Sequence, residues 1–107
     1  MPKYLLQASY TADGTKGLLK DGGSKRKAMV EEMTKAAGGK IEAFYFAFGD
    51  SDVYIIVDAP NQATVAAISM VVNASGAVTL KTTVLLTPQE VDQAAKKVVK
   101  YRSPGKK

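Results

Sequence analysis

Hydrophobic and polar positions follow two different periods along the chain, and the order of those periods predicts the fold. Four segments show the alternating, β-branched and aromatic pattern of strands: residues 4–10, 41–48, 53–58 and 78–86. Two segments have apolar residues three and four positions apart, which is the spacing of an amphipathic helix. One begins after Ser24 and ends at the Gly38-Gly39 pair, and the other begins after Asn61 and ends near Ala74.

The spacing also predicts which side of each element is buried. The first helix has an apolar face made of Met29, Met33 and Ala36, with Val30 and Ala37 beside them. The second helix has a buried face made of Val65, Ile68, Ser69 and Val72. Beneath the helices we expect the more apolar side of the last two strands, made of Val53, Ile55, Val57, Val78, Leu80, Val84 and Leu86. Both sides of the first two strands are largely apolar, so the second strand turns either Phe44, Phe46 and Phe48 or Tyr45 to the opposite face.

Two shorter segments complete the pattern. Residues 15–20 have the composition of one helical turn. The sequence Thr87-Pro88-Gln89-Glu90 is a capping box with proline at the first helical position. It predicts a last helix with Val91, Ala94, Ala95 and Val98 on one side.

The order of elements is β-α-β-β-α-β with an added C-terminal helix, which is the split βαβ plan. We therefore predict an α+β, ferredoxin-like fold with a four-stranded antiparallel sheet in the order 4-1-3-2. Right-handed crossovers place both main helices on one face of that sheet. We assign residues 1–95 to this single domain, and residues 96–107 to the end of the C-terminal helix and a basic tail.

Composition excludes several kinds of chemistry. The chain contains neither cysteine nor histidine, so it has no thiolate nucleophile, disulfide, zinc site or imidazole base. No apolar run approaches the roughly 20 residues of a membrane span, and the N-terminal MPKYLLQASY lacks the apolar core of a signal peptide. We expect a soluble cytoplasmic protein without a membrane partner, a metal or a cofactor.

The net charge of +5 belongs to the C-terminus. Six basic residues and no acidic residue follow position 95: Lys96, Lys97, Lys100, Arg102, Lys106 and Lys107. The rest of the chain carries nine basic and ten acidic side chains, so its surface has no basic stripe. A basic tail can bind nucleic acid, but we expect a solvated end and no nucleic-acid partner.

The sheet face opposite the helices is the most informative surface for function. It would carry Tyr54, Ile56, Asp58, Lys81, Thr83 and Leu85. This set is too apolar to remain in water, so we expect a cover for it. The cover would be the sheet of another subunit, the C-terminal helix or a bound ligand. Homo-oligomerisation through the sheet face is the simplest of these.

Polar groups among those apolar residues are candidates for a small-ligand pocket: Ser9, Tyr54, Asp58, Lys81 and Thr83. A lysine there would bind an anionic or carbonyl group, and a tyrosine or aspartate would exchange protons. The alternative is that Asp58 and Lys81 are simply solvated or paired across an interface. The pattern alone leaves both interpretations open.

The turn Gly49-Asp50-Ser51-Asp52, between the aromatic strand AFYFAFG and a strand ending in Asp58-Ala59-Pro60, resembles the GYD-domain family. The resemblance extends over about residues 3–92. Gly49 and Asp52 match the family's Gly-x-Tyr-Asp turn, whereas Ser51 replaces its tyrosine, so no role of that tyrosine transfers. The resemblance implies a bacterial protein with a ferredoxin-like fold of the dimeric α+β-barrel type, and little about its chemistry.

Two functions follow from these observations. The first is a homo-oligomeric module that binds a small molecule or has a structural role. The alternative is a cofactor-free dimeric α+β-barrel enzyme, monooxygenase-like or isomerase-like, acting on a small aromatic or carbonyl compound. Its acid–base groups would be Tyr54, Asp58 and Lys81.

The pair Asp50 and Asp52 suits a turn better than a metal site, because no further oxygen ligands follow at a suitable spacing.

Overall fold

The computed structural model describes residues 1–105, and its elements follow the predicted order. They are β1 (Lys3–Tyr10), α1 (Ala12–Asp21), α2 (Gly23–Ala36), β2 (Lys40–Phe46), β3 (Val53–Asp58), α3 (Gln62–Ala74), β4 (Val78–Leu85) and α4 (Pro88–Ala95). The strands form one antiparallel sheet in the order β2-β3-β1-β4, which is the predicted order read from the other edge. The fold is therefore α+β with ferredoxin-like connectivity. No helix within residues 1–105 is long and apolar enough to cross a membrane.

The core lies between the sheet and helices α2 and α3. Its buried residues share one side of the two central strands: Tyr4, Leu6, Ala8, Val53, Ile55 and Val57. Helix α2 packs chiefly on β2, whereas α3 packs chiefly on β4. The helices are thus supported by the two edge strands, and a cleft remains between them above the centre of the sheet.

A bulge in β2 decides which of its aromatic residues face the helices. The pairing of β2 with β3 shifts between Ile41 and Ala43, and Ile41, Phe44 and Phe46 all pack against the core. A bulge adds one residue to one strand, so the alternation of sides changes there. Tyr45 lies on the opposite face and is 71% exposed. Of the two registers that the sequence allowed, the structure therefore has the one with Tyr45 on that face.

Helix α1 has ten residues, whereas the sequence predicts a single turn. The side-chain oxygen of Thr11 accepts a hydrogen bond from the Gly14 amide (3.2 Å), and the Thr11 amide donates to the Ala77 carbonyl (3.0 Å). Gly14 lies so close to Ala77 that a Cβ atom would overlap the carbonyl oxygen. Glycine in a helix interior is unfavourable by about 1 kcal/mol relative to alanine. The contact with Ala77 requires a glycine, and that glycine lowers the helix propensity of the segment. A prediction from propensity therefore underestimates this helix.

Gly22 separates α1 from α2. It has a φ of 81°, in the left-handed region that favours glycine, and its amide donates to the Leu18 carbonyl at 2.7 Å. Helix α2 consequently begins at Gly23, two residues before the start that a Ser24 cap would give.

The buried face of α2 differs from the predicted one. Val30, Met33 and Thr34 face inward, whereas Met29 is 44% exposed and Ala36 is exposed. The Thr34 hydroxyl donates to the Val30 carbonyl at 2.8 Å, which satisfies its polar atom inside the helix. The prediction for Met29 and Ala36 was wrong because hydrophobicity alone does not anticipate a threonine buried in this way.

The side chain of Asn73, in α3, makes hydrogen bonds to the backbone at the β4 edge of the sheet, as a neighbouring strand would. Its Oδ1 accepts a hydrogen bond from the Leu80 amide (2.7 Å), and its Nδ2 donates to the Leu80 carbonyl (3.4 Å). The backbone groups of Leu80 therefore point away from β1. By the alternation of an antiparallel ladder, those of Thr82 and Val84 also point outward.

The end of β4 lies beyond the helix layer. The Ser69 hydroxyl of α3 and the Thr82 hydroxyl of β4 are joined by a hydrogen bond of 2.8 Å. Farther along, Val84 is 52% exposed and Leu86 is 60% exposed. Their predicted burial was wrong because α3 and β4 diverge and leave a groove that Val84 lines.

Helix α4 begins as predicted and ends early. The Thr87 hydroxyl accepts from the Glu90 amide (3.1 Å), and the Glu90 carboxylate accepts from the Thr87 amide (3.0 Å), which completes the capping box. The helix ends at Ala95, where the last hydrogen bonds have the tighter i→i−3 spacing. The predicted helical face therefore extended too far in including Val98.

No residue of α4 is buried, so this helix of the same chain does not cover the open side of the sheet. Val91, on the apolar side of this helix, is 51% exposed. Lys106 and Lys107 of the predicted basic tail lie outside the described residues.

Candidate functional site

The hairpin between β2 and β3 contains the turn that the sequence singled out. Gly49 is exposed, whereas Ser51 is 6% exposed. The Asp52 carboxylate accepts a hydrogen bond from the Tyr10 amide, and the Asp52 amide donates to the Ala8 carbonyl, both at 2.8 Å. Asp52 thereby joins the hairpin to the end of β1, beyond the last residue of β1 that pairs with β3. Within residues 1–105 no group of three or more carboxylates is placed to hold a metal ion.

The side of the sheet opposite α2 and α3, here called the open face, has three rows of side chains running across the strands. The first row is polar and consists of Tyr45, Tyr54, Gln7 and Lys81. The second is largely apolar and consists of Ala43, Ile56, Leu5 and Thr83. The third contains Lys40, Asp58, Lys3 and Leu85. Residues directly opposite each other on neighbouring strands are about 5 Å apart, so each row forms a line of contacts.

Lys3 is held between two carboxylates in the third row. Its Nζ lies 2.7 Å from Oδ1 of Asp58 and 2.9 Å from Oε2 of Glu42. The hydrogen bond to Asp58, followed by that to Glu42, raises the pKa of Lys3 above its ordinary value. Lys3 and its two carboxylates are therefore already paired within one chain.

All five ligand candidates from the sequence lie on the open face: Ser9, Tyr54, Asp58, Lys81 and Thr83. Tyr54 and Lys81 flank Gln7 on its two neighbouring strands. Ser9 and Asp58 lie toward opposite ends of the face, and Asp58 is engaged by a lysine. The five residues thus spread over a pleated surface, and their role in binding a ligand stays a prediction.

A cleft on the other side of the sheet runs between α2 and α3 down to the central strands. Its inner part is narrow and contains about 430 Å³ of empty space, some of it open to solvent. Apolar side chains from the sheet and both helices line it, among them Leu6, Val30, Met33, Ile55, Val72 and Leu80. Tyr10 and Arg26 are the polar residues of this lining. The inner cleft therefore offers an apolar environment with a single charged side chain.

The cleft continues outward between α1 and α3. This outer part, about 820 Å³ including space open to solvent, has a polar rim formed by Asp13, Asp21 and Ser75. Arg26 and Tyr10 line both parts and therefore stand where the two parts meet.

The ion pairs within residues 1–105 leave Arg26 without a carboxylate partner. They join Lys3 to two acidic residues, and Lys25 to Asp21 at 3.6 Å. Arg26 is half-buried as a residue and has no carboxylate within ion-pair distance in residues 1–105.

The position of Arg26 in the chain contains a signal that hydrophobicity did not reveal. Arg26, Val30 and Met33 are spaced at i, i+4 and i+7, so the arginine continues the inward stripe of α2 by one turn. An arginine one turn before two inward-facing apolar residues therefore indicated a charged group beside the core. The separation of the helices, which makes the cleft, has no comparable signal.

Comparisons with known proteins address the family. A family model for the GYD domain matches residues 4–95, a range that spans β1 to the end of α4. The chain matches none of the curated proteins and none of the solved structures with which it was compared.

Proposed function

The chain belongs to the GYD domain family, and we propose that it is a homo-oligomeric module that binds a small apolar ligand. In this proposal copies of the chain pair through the open face, and the ligand occupies the cleft between α2 and α3. Each side of the sheet thus has its own function.

The separation of α2 from α3 is the observation that carries ligand binding. Protein interiors are close-packed and contain few voids larger than a water molecule. Here residues of both helices border a space that reaches Leu6 and Ile55 on the central strands. An apolar cleft with a few polar groups is the usual form of a small-molecule site. The geometry therefore supports binding on the helix side of the sheet.

The open face supports self-association. Leu5, Ile56 and Leu85 lie on it half-buried, with no helix over them. Apolar surface of this kind is commonly covered by symmetric contact with an identical copy. Because Lys3 is paired with its two carboxylates, the central strands β1 and β3 bring no lone charge into such a contact. The cations of the open face that are unpaired within residues 1–105, Lys40 and Lys81, lie on the edge strands β2 and β4.

The enzymatic alternative draws less support from the geometry. Asp58 is engaged by Lys3, and Gln7 separates Tyr54 from Lys81. A set of acid–base groups converging on one reacting atom is what such a reaction requires. Catalysis on the open face is therefore not part of the proposal.

Two measurements on the purified protein test the proposal. Light scattering coupled to size exclusion should give a mass that is a multiple of the 11.4 kDa chain. Titration with the neutral probe 1-octanol should shift the ¹³C-methyl resonances of Val30, Ile55 and Leu80, which line the cleft. The methyl groups of Leu19 on α1, which is 82% exposed, should stay in place. A single-chain mass would contradict self-association, and unmoved cleft methyls would contradict ligand binding.

A further inference from the structure

On the basis of the ligand-binding function proposed above, we propose that the ligand is a monocarboxylic acid with a slender apolar tail, and that Arg26 binds its carboxylate. The carboxylate lies where the inner and outer parts of the cleft meet. The tail descends through the inner part toward the central strands.

Arg26 has the position and the chemistry of a carboxylate anchor. It lines both parts of the cleft, it is half-buried, and it has no ion pair within residues 1–105. Charged side chains that are withdrawn from water are usually paired. The planar guanidinium can donate two parallel hydrogen bonds to one carboxylate, which a lysine in its place could not reproduce. A ligand that supplies the missing anion therefore satisfies the one charged group of the inner cleft.

The inner cleft defines the rest of the ligand. Beyond Arg26 its walls are apolar from Val30 and Val72 down to Leu6 and Ile55, and its width is small. Each methylene group buried there stabilises the complex by roughly 0.8 kcal/mol. A narrow apolar channel below a cation favours an unbranched or flat hydrocarbon tail over a bulky or polar one.

The outer cleft limits the ligand to one negative charge near its head. Asp13 and Asp21 lie on the rim with Arg26, and the cation paired with Asp21 is Lys25 on the adjacent turn. A second anionic group on the ligand would extend toward these two carboxylates and be repelled by them. A monoacid is therefore favoured over a phosphate ester or a compact diacid.

Three probes with the same eight-carbon tail test the inference on the full chain: octanoate, 1-octanol and octylamine. Binding is followed by the shifts of the Val30 and Ile55 methyl groups. Octanoate should bind at least about tenfold more tightly than 1-octanol, which is the size expected of a charge-assisted hydrogen-bonded pair. Octylamine should bind more weakly than both, because its ammonium group meets Arg26.

The variant Arg26→Gln should lower octanoate affinity to that of 1-octanol and leave 1-octanol affinity unchanged. The matched control is Lys27→Gln, which removes the same charge one position away at an exposed residue that lines neither part of the cleft. It should leave the preference for octanoate intact.

Each outcome of these titrations bears on the inference. Equal binding of octanoate and 1-octanol to the wild-type protein overturns it while the proposed ligand-binding function stands, as does full octanoate affinity in Arg26→Gln. Failure of every probe to shift the cleft methyls overturns both. The wild-type comparison needs no variant, so it decides the question even where Arg26→Gln does not fold.

Discussion

The two sides of this sheet differ in the surroundings of one cation on each. On the open face, Lys3 is paired with Asp58 and Glu42 in its own chain. On the helix side, Arg26 lines the cleft, and within residues 1–105 it has no ion pair. A charge that is paired within its own chain costs less to bury against a second copy than an unpaired charge does, whereas an unpaired guanidinium can bind an anion from outside. The centre of the open face therefore suits self-association and the cleft suits a ligand, while Lys40 and Lys81, unpaired within the described part of the chain, lie on the edge strands.

The largest expected effect comes from placing a charge in the apolar row of the open face. Leu5→Glu puts a carboxylate between Ile56 and Thr83, where the neighbouring strands offer no cation in the same row. A buried unpaired charge destabilises a contact by roughly 3–5 kcal/mol. The mass in solution should therefore fall to that of one 11.4 kDa chain, as measured by light scattering, while octanoate binding persists.

The matched control for this variant is Leu19→Glu, at a leucine of α1 that is 82% exposed. It introduces the same charge away from the open face and should leave the assembly unchanged. An unaltered mass for Leu5→Glu would mean that copies associate through a different surface.

An intermediate effect is expected on the helix side from Gly14→Ala. The new Cβ would overlap the Ala77 carbonyl, so α1 must move away from the start of β4. Overpacking of this kind destabilises a protein by about 1–3 kcal/mol, measured as the free energy of unfolding in urea. The outer cleft loses one wall as α1 shifts, so octanoate affinity should fall as well, without a change in solution mass.

Gly17→Ala is the control in the same helix, because no atom lies within 4 Å of the Cβ it would add. It should raise the unfolding free energy by about 0.5–1 kcal/mol through helix propensity alone. Equal stabilities for the two alanine variants would show that α1 does not depend on its contact with Ala77.

The smallest expected effect concerns the pH dependence of Lys3. Its pKa is raised in the folded state by Asp58 and then by Glu42, so the ion pairs contribute fully below the ordinary value of 10.5. That contribution should be lost as the pH rises through the folded-state pKa. The effect should be small, because the Lys3 side chain retains 35% of its solvent exposure.

The measurement compares urea unfolding of the wild-type protein and Lys3→Met from about pH 9 to about pH 12. The difference between the two proteins should shrink across this range. A difference that stays constant with pH would show that Lys3 stabilises the fold through its hydrocarbon stem rather than its charge.

Elements with a strong local signal were predictable from the sequence. The alternation of Val53, Ile55 and Val57 fixed β3, and the caps at Asn61 and Thr87 fixed the starts of α3 and α4. In each case the local pattern and the tertiary environment favour the same structure, so a short window of sequence contains enough information.

Features that depend on distant contacts were not predictable. The bulge of β2 can be recognised only from its pairing with β3. Likewise, the glycine in helix α1 is explained only by the contact of Gly14 with Ala77. The candidate site was missed for the same reason. The polar residues of the open face can be predicted from strand alternation, whereas Tyr10 and Arg26 line one cleft only because of how α2 and α3 pack on the sheet.

Asn73 has a consequence for how molecules of this protein can aggregate. An exposed edge strand is a template on which strands of other molecules add one after another. The Asn73 amide already occupies the backbone groups of Leu80, so an incoming strand finds only the stretch from Thr82 onward free. That stretch is shorter than the roughly five residues of an ordinary strand. One side chain therefore shortens the part of this edge on which a strand of another molecule could add.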